Sequence, residues 1–291
     1  GRPGLMVSLA RSGDSPESVG ALTYILNAEP EIRHLVLTCN ATGSLATKFV
    51  DDARVTVITL DKATNDQSLV MTSSFTNLVL GARLLGFLEN PAEYGRICEK
   101  AVVIASEIIG KYFDILAQAA KTPFKRAVFL GSGARFAAGR EAGLKMLEMT
   151  AGRVATLCET YLGLRHGPMS FVHEDCLVVG FLSSDPQLRA YESDLLRELD
   201  RKDLGIRKII VGEDVPHDVI RKEDVVIECK GMTELGDDNS PIIDVLVGQL
   251  LAFFRCMEEG FRPDSPSENG IISRVVQSFT LHLPTAEQHQ S

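Results

Sequence analysis

No run of apolar residues in the 291-residue sequence approaches the roughly 18 needed to cross a bilayer, and no signal-peptide pattern opens it. The six cysteines, Cys39, Cys98, Cys158, Cys176, Cys229 and Cys256, are scattered with no CxxC pair. Most lie inside apolar runs, which reads as buried thiols of a cytoplasmic protein rather than disulfides. The six histidines are equally dispersed. With no HExxH and no His/carboxylate cluster there is no metal constellation, and with no Gly-x-Gly-x-x-Gly there is no dinucleotide fingerprint, so no metal and no cofactor are expected. Positive charge is in deficit as well: 30 Lys and Arg stand against 39 Asp and Glu, a net charge of -9. That balance argues against nucleic acid or an anionic membrane as partner. An anionic substrate would need a locally favourable site instead.

What is present is a soluble globular composition, with 45% hydrophobic and 24% charged residues. The length suffices for two domains of ordinary size. Apolar runs rich in Val, Ile, Leu and Thr occur at 5–9, 34–39, 54–60, 126–130, 154–158, 177–182, 208–211 and 225–229, and read as buried strands. Helical spacing separates them, most clearly at 19–26, 71–88, 92–120, 137–150, 187–201 and 242–259. Strands alternating with helices predict an α/β protein with doubly wound parallel sheets, whose ligands sit at the carboxyl ends of the strands.

The stretch Val128 to Val172 concentrates the chemistry. A short strand stops at Gly131-Ser132-Gly133 and a helix follows. On that helix Glu141, Lys145 and Glu148 are four and then three residues apart, so at ~100° per residue they form one narrow stripe, while Leu144, Leu147 and Ala151 form an apolar one. Two carboxylates therefore flank one ammonium. Spacing alone is equally met by an exposed ion pair worth only ~0.2–0.5 kcal/mol. Beyond the helix and a further strand comes the loop His166-Gly167-Pro168.

Together these motifs resemble the sugar isomerase (SIS) family of phosphosugar isomerases, whose active-site half carries Glu-x-x-x-Lys-x-x-Glu on a helix followed by a His-Gly-Pro loop. The isomerase domain of glucosamine-6-phosphate synthase has the same arrangement. The resemblance is closer to the galactosamine-6-phosphate deaminase/isomerase group, also called tagatose-6-phosphate ketose/aldose isomerase. It rests on Leu130-Gly-Ser-Gly133, Leu144-Lys-Met-Leu-Glu-Met-Thr-Ala-Gly-Arg153, Leu164-Arg-His-Gly-Pro-Met-Ser170 and Ser273-Arg-Val-Val-Gln277, and covers nearly the whole chain.

The resemblance implies a three-layer, flavodoxin-like fold in two SIS domains: a first over residues 1–120, lacking its N-terminal part and ending in a linker helix, and a second over 121–262. A tail, 263–291, would close over the active site. The family's phosphate loop matches Arg11 to Ser15. It makes Ser12 and Ser15 the expected phosphate ligands and Ser18 a lesser one, with Arg11 offsetting the Ala10 that stands where a serine is frequent. By residue type alone, Ser15-Pro16 is also an ordinary helix start. Thr72 and Ser73 fall where the related synthase has a run facing the sugar, although a Ser/Thr cluster is usually just a helix cap. His282 lies in the closing tail. The resemblance assigns Glu148 as the base, Lys145 to stabilising developing charge, Glu141 to holding Lys145, and His166 to ring opening.

The expected activity is conversion of an amino-hexose 6-phosphate, galactosamine 6-phosphate foremost, to tagatose 6-phosphate with release of ammonia. The alternatives are isomerisation without deamination and a phosphosugar sensor that converts nothing. By analogy with the synthase, a homodimer or larger even oligomer with shared active sites is implied. The segment Ser183-Ser184-Asp185-Pro186 takes the place of the second domain's own Ser-rich loop but lacks its Ser-Gly core. It reads as a degenerate copy that no longer binds phosphate, within a divergent repeat that shares one active site.

Overall fold

The structure is a computed structural model, and it describes residues 3–267, 270, 272, 274 and 280–282. The chain divides into two compact units, Gly1–Glu89 with Ile271–Ser291, and Asn90–Gly270. The long helix at 92–120, expected as the link closing the first domain, belongs to the second of these. The strand-like reading of 275–283 falls largely outside the described residues.

In the first unit β1 (Gly4–Ala10), β2 (Ile32–Thr38) and β3 (Val55–Thr59) form a parallel sheet in the order β1-β2-β3. Helix α1 (Pro16–Ala28) and the short α2 (Ser44–Thr47) cover one face, where Leu22, Leu26 and Leu45 meet Ala10 and Val36. On the other, α3 (Ser73–Leu84) brings Leu78 against Leu37 and Cys39. The sequence reads all three strands as buried, and this holds best for β2. Leu5, Val7 and Leu9 of β1 and Ile58 of β3 are exposed. Both strands have a single neighbour among the described residues, so a β-branched or leucine-rich run reports strand character here without reporting burial.

The second unit is larger. Helix α4 (Pro91–Ala120) leads to β4 (Arg126–Gly131), α5 (Ala134–Met149), β5 (Ala155–Thr160), α6 (Tyr161–Leu164) and a 3₁₀ turn at Gly167–Phe171. Next come β6 (Cys176–Phe181), α7 (Pro186–Arg201), β7 (Arg207–Gly212), β8 (Val225–Glu228), α8 (Met232–Leu235) and α9 (Pro241–Glu258). All five strands are parallel, in the order β5-β4-β6-β7-β8. Strand β6 is buried along its whole length, as its unbroken CLVVGF run requires of a strand covered on both faces. The order reverses between β4 and β6, which makes the carboxyl ends of those two strands the natural crevice. Arg255 on α9 donates to the carbonyls of Ala120, Thr122 and Phe124, fastening the end of α4 and the entry to β4.

Helix α5 is seated differently from the sequence expectation. Leu144 and Leu147 are half-exposed and Ala151 is exposed, whereas the buried side is Arg135, Ala138, Gly139, Ala142, Gly143, Lys145, Met146 and Met149. Small residues let neighbouring backbones come close. A Cβ on Gly248 of α9 would stand 2.4 Å from the Ala142 Cβ. The close approach covers whatever is on that face, charged or not, and the bulkier leucines are left outward.

Candidate functional site

The candidate residues fall into two sets, one in each unit. In the second unit α5 presents the Glu/Lys/Glu stripe. The Lys145 ammonium is buried and donates to Glu148 at 2.7 Å, with Glu141 at 3.1 Å. Exposure grades along the stripe: the side chains are 2% exposed at Lys145, 14% at Glu141 and 34% at Glu148. Glu148 is thus the member with open surface for another molecule, and Lys145 is held from both sides. Burial pushes the Glu141 carboxyl above its ordinary value despite the pull of Lys145.

His166 is exposed at the start of the 3₁₀ turn, with Gly167 and Pro168 setting the backbone beyond it. Among the described residues no hydrogen bond or ion pair joins its imidazole to the α5 charges.

In the first unit the loop from Arg11 to Ser15 connects β1 to α1. Gly13 has a φ of +70°, which a side chain would resist, so the glycine sets the loop's turn. Asn40 Nδ2 donates to the Ser12 carbonyl at 2.9 Å, and the Asp14 carboxylate accepts from the Ser44 amide at 2.8 Å and its hydroxyl at 3.0 Å. The loop is therefore anchored from β2 and α2. Ser12 Oγ accepts the Asp14 amide at 3.3 Å. Ser15 is the N-cap of α1 and makes no side-chain capping bond, while Ser18 sits half-buried in the first turn. The positive end of α1 is thus left to another acceptor.

Arg11 does not lie in the loop's mouth as an added charge. Its guanidinium donates to the carbonyls of Ser68 and Leu69, both at 3.1 Å, and of Arg274 at 3.2 Å, and the side chain is buried. It braces the 65–71 loop and position 274 against the strand end.

Thr72 and Ser73 open α3, and the residue that organises them is one the sequence reading passed over. Asp66 accepts from the amides of Thr72, Ser73 and Ser74 and from the hydroxyls of Thr72 and Ser74, at 2.6–3.1 Å. Burial pushes its carboxyl up, but the bonds from Ser74 and Thr72 outweigh that and hold it below the usual range. Thr72 stands at the N-cap position of α3 but makes no side-chain capping bond, and its hydroxyl donates to Asp66. Ser73 Oγ faces Asn77 Nδ2 at 3.3 Å. His282 is exposed.

A third group lies at the carboxyl ends of β4 and β6. Arg135 is completely buried and pairs twice with Asp244, Nε to Oδ2 at 2.8 Å and Nη2 to Oδ1 at 2.6 Å, and also donates to the Leu182 carbonyl. Asp237 lies 3.9 Å from the same guanidinium and accepts from Ser183 and Ser184. The one sequence cue was the small-residue setting of Arg135, Gly-Ala before it and Phe-Ala-Ala-Gly after it.

Among the described residues no helix is long and apolar enough to cross a membrane, and no group of three or more His, Cys, Asp or Glu is placed to hold a metal ion.

A phosphosugar enzyme of α/β class accounts for parallel sheets, an uncapped helix start after a serine loop, and a carboxylate-ammonium-carboxylate stripe. The D-galactosamine-6-phosphate deaminase AgaS of Shewanella sp. (strain ANA-3) is 35% identical over 280 residues, 96% of this chain and 68% of that protein. That of Escherichia coli O157:H7 is 32% identical over 282 residues, 96% of this chain and 72% of that protein. The crystal structure of tagatose-6-phosphate ketose/aldose isomerase from Escherichia coli superposes with a TM-score of 0.81 at 31% identity, over 91% of this chain and 71% of that one. No family model matches the chain. The chain belongs to the SIS phosphosugar isomerase family, with the galactosamine-6-phosphate deaminases among its relatives, and it is a sugar-phosphate isomerase or deaminase.

Proposed function

We propose that the protein converts an amino-hexose 6-phosphate, galactosamine 6-phosphate in the first place, to the ketohexose 6-phosphate, tagatose 6-phosphate, with release of ammonia. The observation that carries the reading is Lys145 buried between Glu141 and Glu148 on one helix face, with Glu148 the accessible member. The 35%-identical relative named a galactosamine-6-phosphate deaminase supports the substrate. Both units are read as SIS domains.

In this reading Ser12 and Ser15, with Ser18 secondary, grip the phosphate at the uncapped start of α1, where backbone amides and helix dipole favour an anion. His166 moves a proton between the ring oxygen and solvent to open the ring. Glu148 removes the proton from C2, giving an enolamine, and returns a proton to C1. The product is the 2-imine of the ketose, and water adds to it to leave the C2 ketone and ammonia. Lys145, fixed by Glu141, offsets the charge that develops on oxygen. A substrate with a 2-hydroxyl would follow the same two proton movements and end as a plain ketose, which is the second reading. His166 is taken to act from a second copy of the chain, so the working form is an even oligomer.

The test is to incubate the protein with galactosamine 6-phosphate and glucosamine 6-phosphate and follow ammonia and ketose phosphate together, alongside Glu148→Gln and His166→Ala. Ammonia appearing in step with ketose, and abolished in Glu148→Gln, is expected. Saturable binding without product from any hexose phosphate would sink the enzyme reading in favour of a sensor.

A further inference from the structure

The loop joining β6 to α7 has the shape of an anion cradle in which every backbone donor is already taken by the protein itself. From residue 183 to 188 each backbone N–H is accepted by a side-chain oxygen, Pro186 having none to give. The Ser183 amide goes to Glu192 at 2.7 Å, that of Ser184 to Asp237 at 2.9 Å, that of Asp185 to Ser183 Oγ at 3.0 Å, and those of Gln187 and Leu188 to Asp185, both at 2.9 Å. The Ser183 hydroxyl donates to Asp237 as well. Asp237 comes from 54 residues away, between α8 and α9, and faces the buried Arg135 guanidinium at 3.9 Å. A run of converging amides, a serine hydroxyl and a buried arginine is the donor set that binds a phosphate.

The loop from β1 to α1 in the other unit is built alike and, among the described residues, left open. Each loop ends in an N-cap followed by proline, Ser15-Pro16 in one and Asp185-Pro186 in the other. Asp185 caps two amides of α7, whereas Ser15 caps none of α1. Among the described residues no side-chain oxygen accepts from the amides of Ser15, Glu17 or Ser18.

We infer that Asp237, together with Asp185, is an internal replacement for bound phosphate, so that the 183–188 loop is a phosphate site closed by the chain's own carboxylates. Removing them converts it into a second site for a phosphate-sized oxyanion. The comparison takes from the proposed function only the phosphate reading of the 11–15 loop. The placement at the reversal between β4 and β6, where open parallel sheets bind ligands, is independent of that reading.

The experiment titrates the full chain with inorganic phosphate by calorimetry, in chloride of matched ionic strength, for wild type, Asp185→Ser/Asp237→Ala and the same pair with Ser15→Asp. One equivalent is expected for wild type, two for the double variant, and one for the triple, in which the first loop has received the carboxylate that closes the second. A double variant that takes up no more phosphate than wild type overturns the inference. If wild type binds none and the double variant binds one, the inference stands and the phosphate reading of the 11–15 loop falls. Should the double variant unfold in buffer, recovery of its helical circular dichroism by phosphate but not by chloride supports the inference, and no recovery overturns it.

Discussion

Replacing Asp244 by Asn tests whether the helix that carries the candidate catalytic stripe is held by the buried Arg135 pair. Both side chains are fully shielded from solvent and joined by two bonds of 2.8 and 2.6 Å. Asn keeps the shape and one acceptor but removes the charge, leaving a guanidinium in the core without its main counter-ion. Breaking a buried pair in this way costs about 3–5 kcal/mol. Asp237, at 3.9 Å from the same guanidinium, compensates in part and places the expectation at the lower end. For chains of 150–250 residues, 1 kcal/mol moves Tm by roughly 2–4 °C, so a loss of about 3 kcal/mol corresponds to a fall of ~6–12 °C. Calorimetric melting in parallel with urea unfolding would measure it. The double variant Arg135→Met/Asp244→Leu, which removes both charges, should regain most of the loss, since apolar replacement of buried ion pairs is often neutral or better. A single variant within about 1 kcal/mol of wild type, or a double variant worse than the single, would refute the reasoning.

Three further outcomes are expected. Glu148→Gln should lower kcat by ~10²–10⁴ in the coupled ammonia and ketose assay, the range for loss of a general base, and Glu141→Gln should lower it less. His34 is buried and, among the described residues, has no hydrogen-bond partner at either ring nitrogen, and burial, then the charge of Arg54, push its pKa below 6.5 against a smaller opposing effect of Asp52. The unfolded chain therefore binds more protons in mild acid, stability is complete above pH ~6.5 and declines below it, and His34→Leu should flatten that limb in urea titrations between pH 5 and 7. Gly248→Val should destabilise by ~1–3 kcal/mol through overpacking, because even a bare Cβ would come 2.4 Å from Ala142. Gly248→Ala is milder, since part of its clash is offset by the ~1 kcal/mol helix preference of Ala.

The parallel architecture was legible because its strands are written as unbroken apolar runs and its helices as amphipathic ones. CLVVGF at 176–181 can only be a strand buried on both faces, and so it is. The helix start read at Ser15-Pro16 was legible too, for Ser15 is the N-cap of α1 and Pro16 its first residue. The seating of α5 was not. Periodicity ranks faces by hydrophobicity and so favoured Leu144 and Leu147, yet burial followed how closely backbones could approach. Gly139, Ala142 and Gly143 on α5 meet the sheet and Gly248 of α9, and Arg135 and Lys145 are carried inward with them.

The candidate site shows the same division between local and distant information. The Glu141, Lys145 and Glu148 stripe needed only helix geometry and was found at the expected spacing, because the three residues share one rigid element. The roles of Arg11 and Thr72 depend on what reaches them from elsewhere. Arg11 meets carbonyls 57, 58 and 263 residues away, and Thr72 meets a carboxylate that belongs to a loop rather than to a periodic element. Hydroxyls and cations chosen by motif are thus candidates for binding only where no internal acceptor claims them. Ser15 passes that filter because, among the described residues, no acceptor takes its hydroxyl, whereas Ser183 fails it because Asp237 has already taken its hydroxyl. Two serine loops of similar plan differ in which of them the fold supplies with a carboxylate from a distant segment.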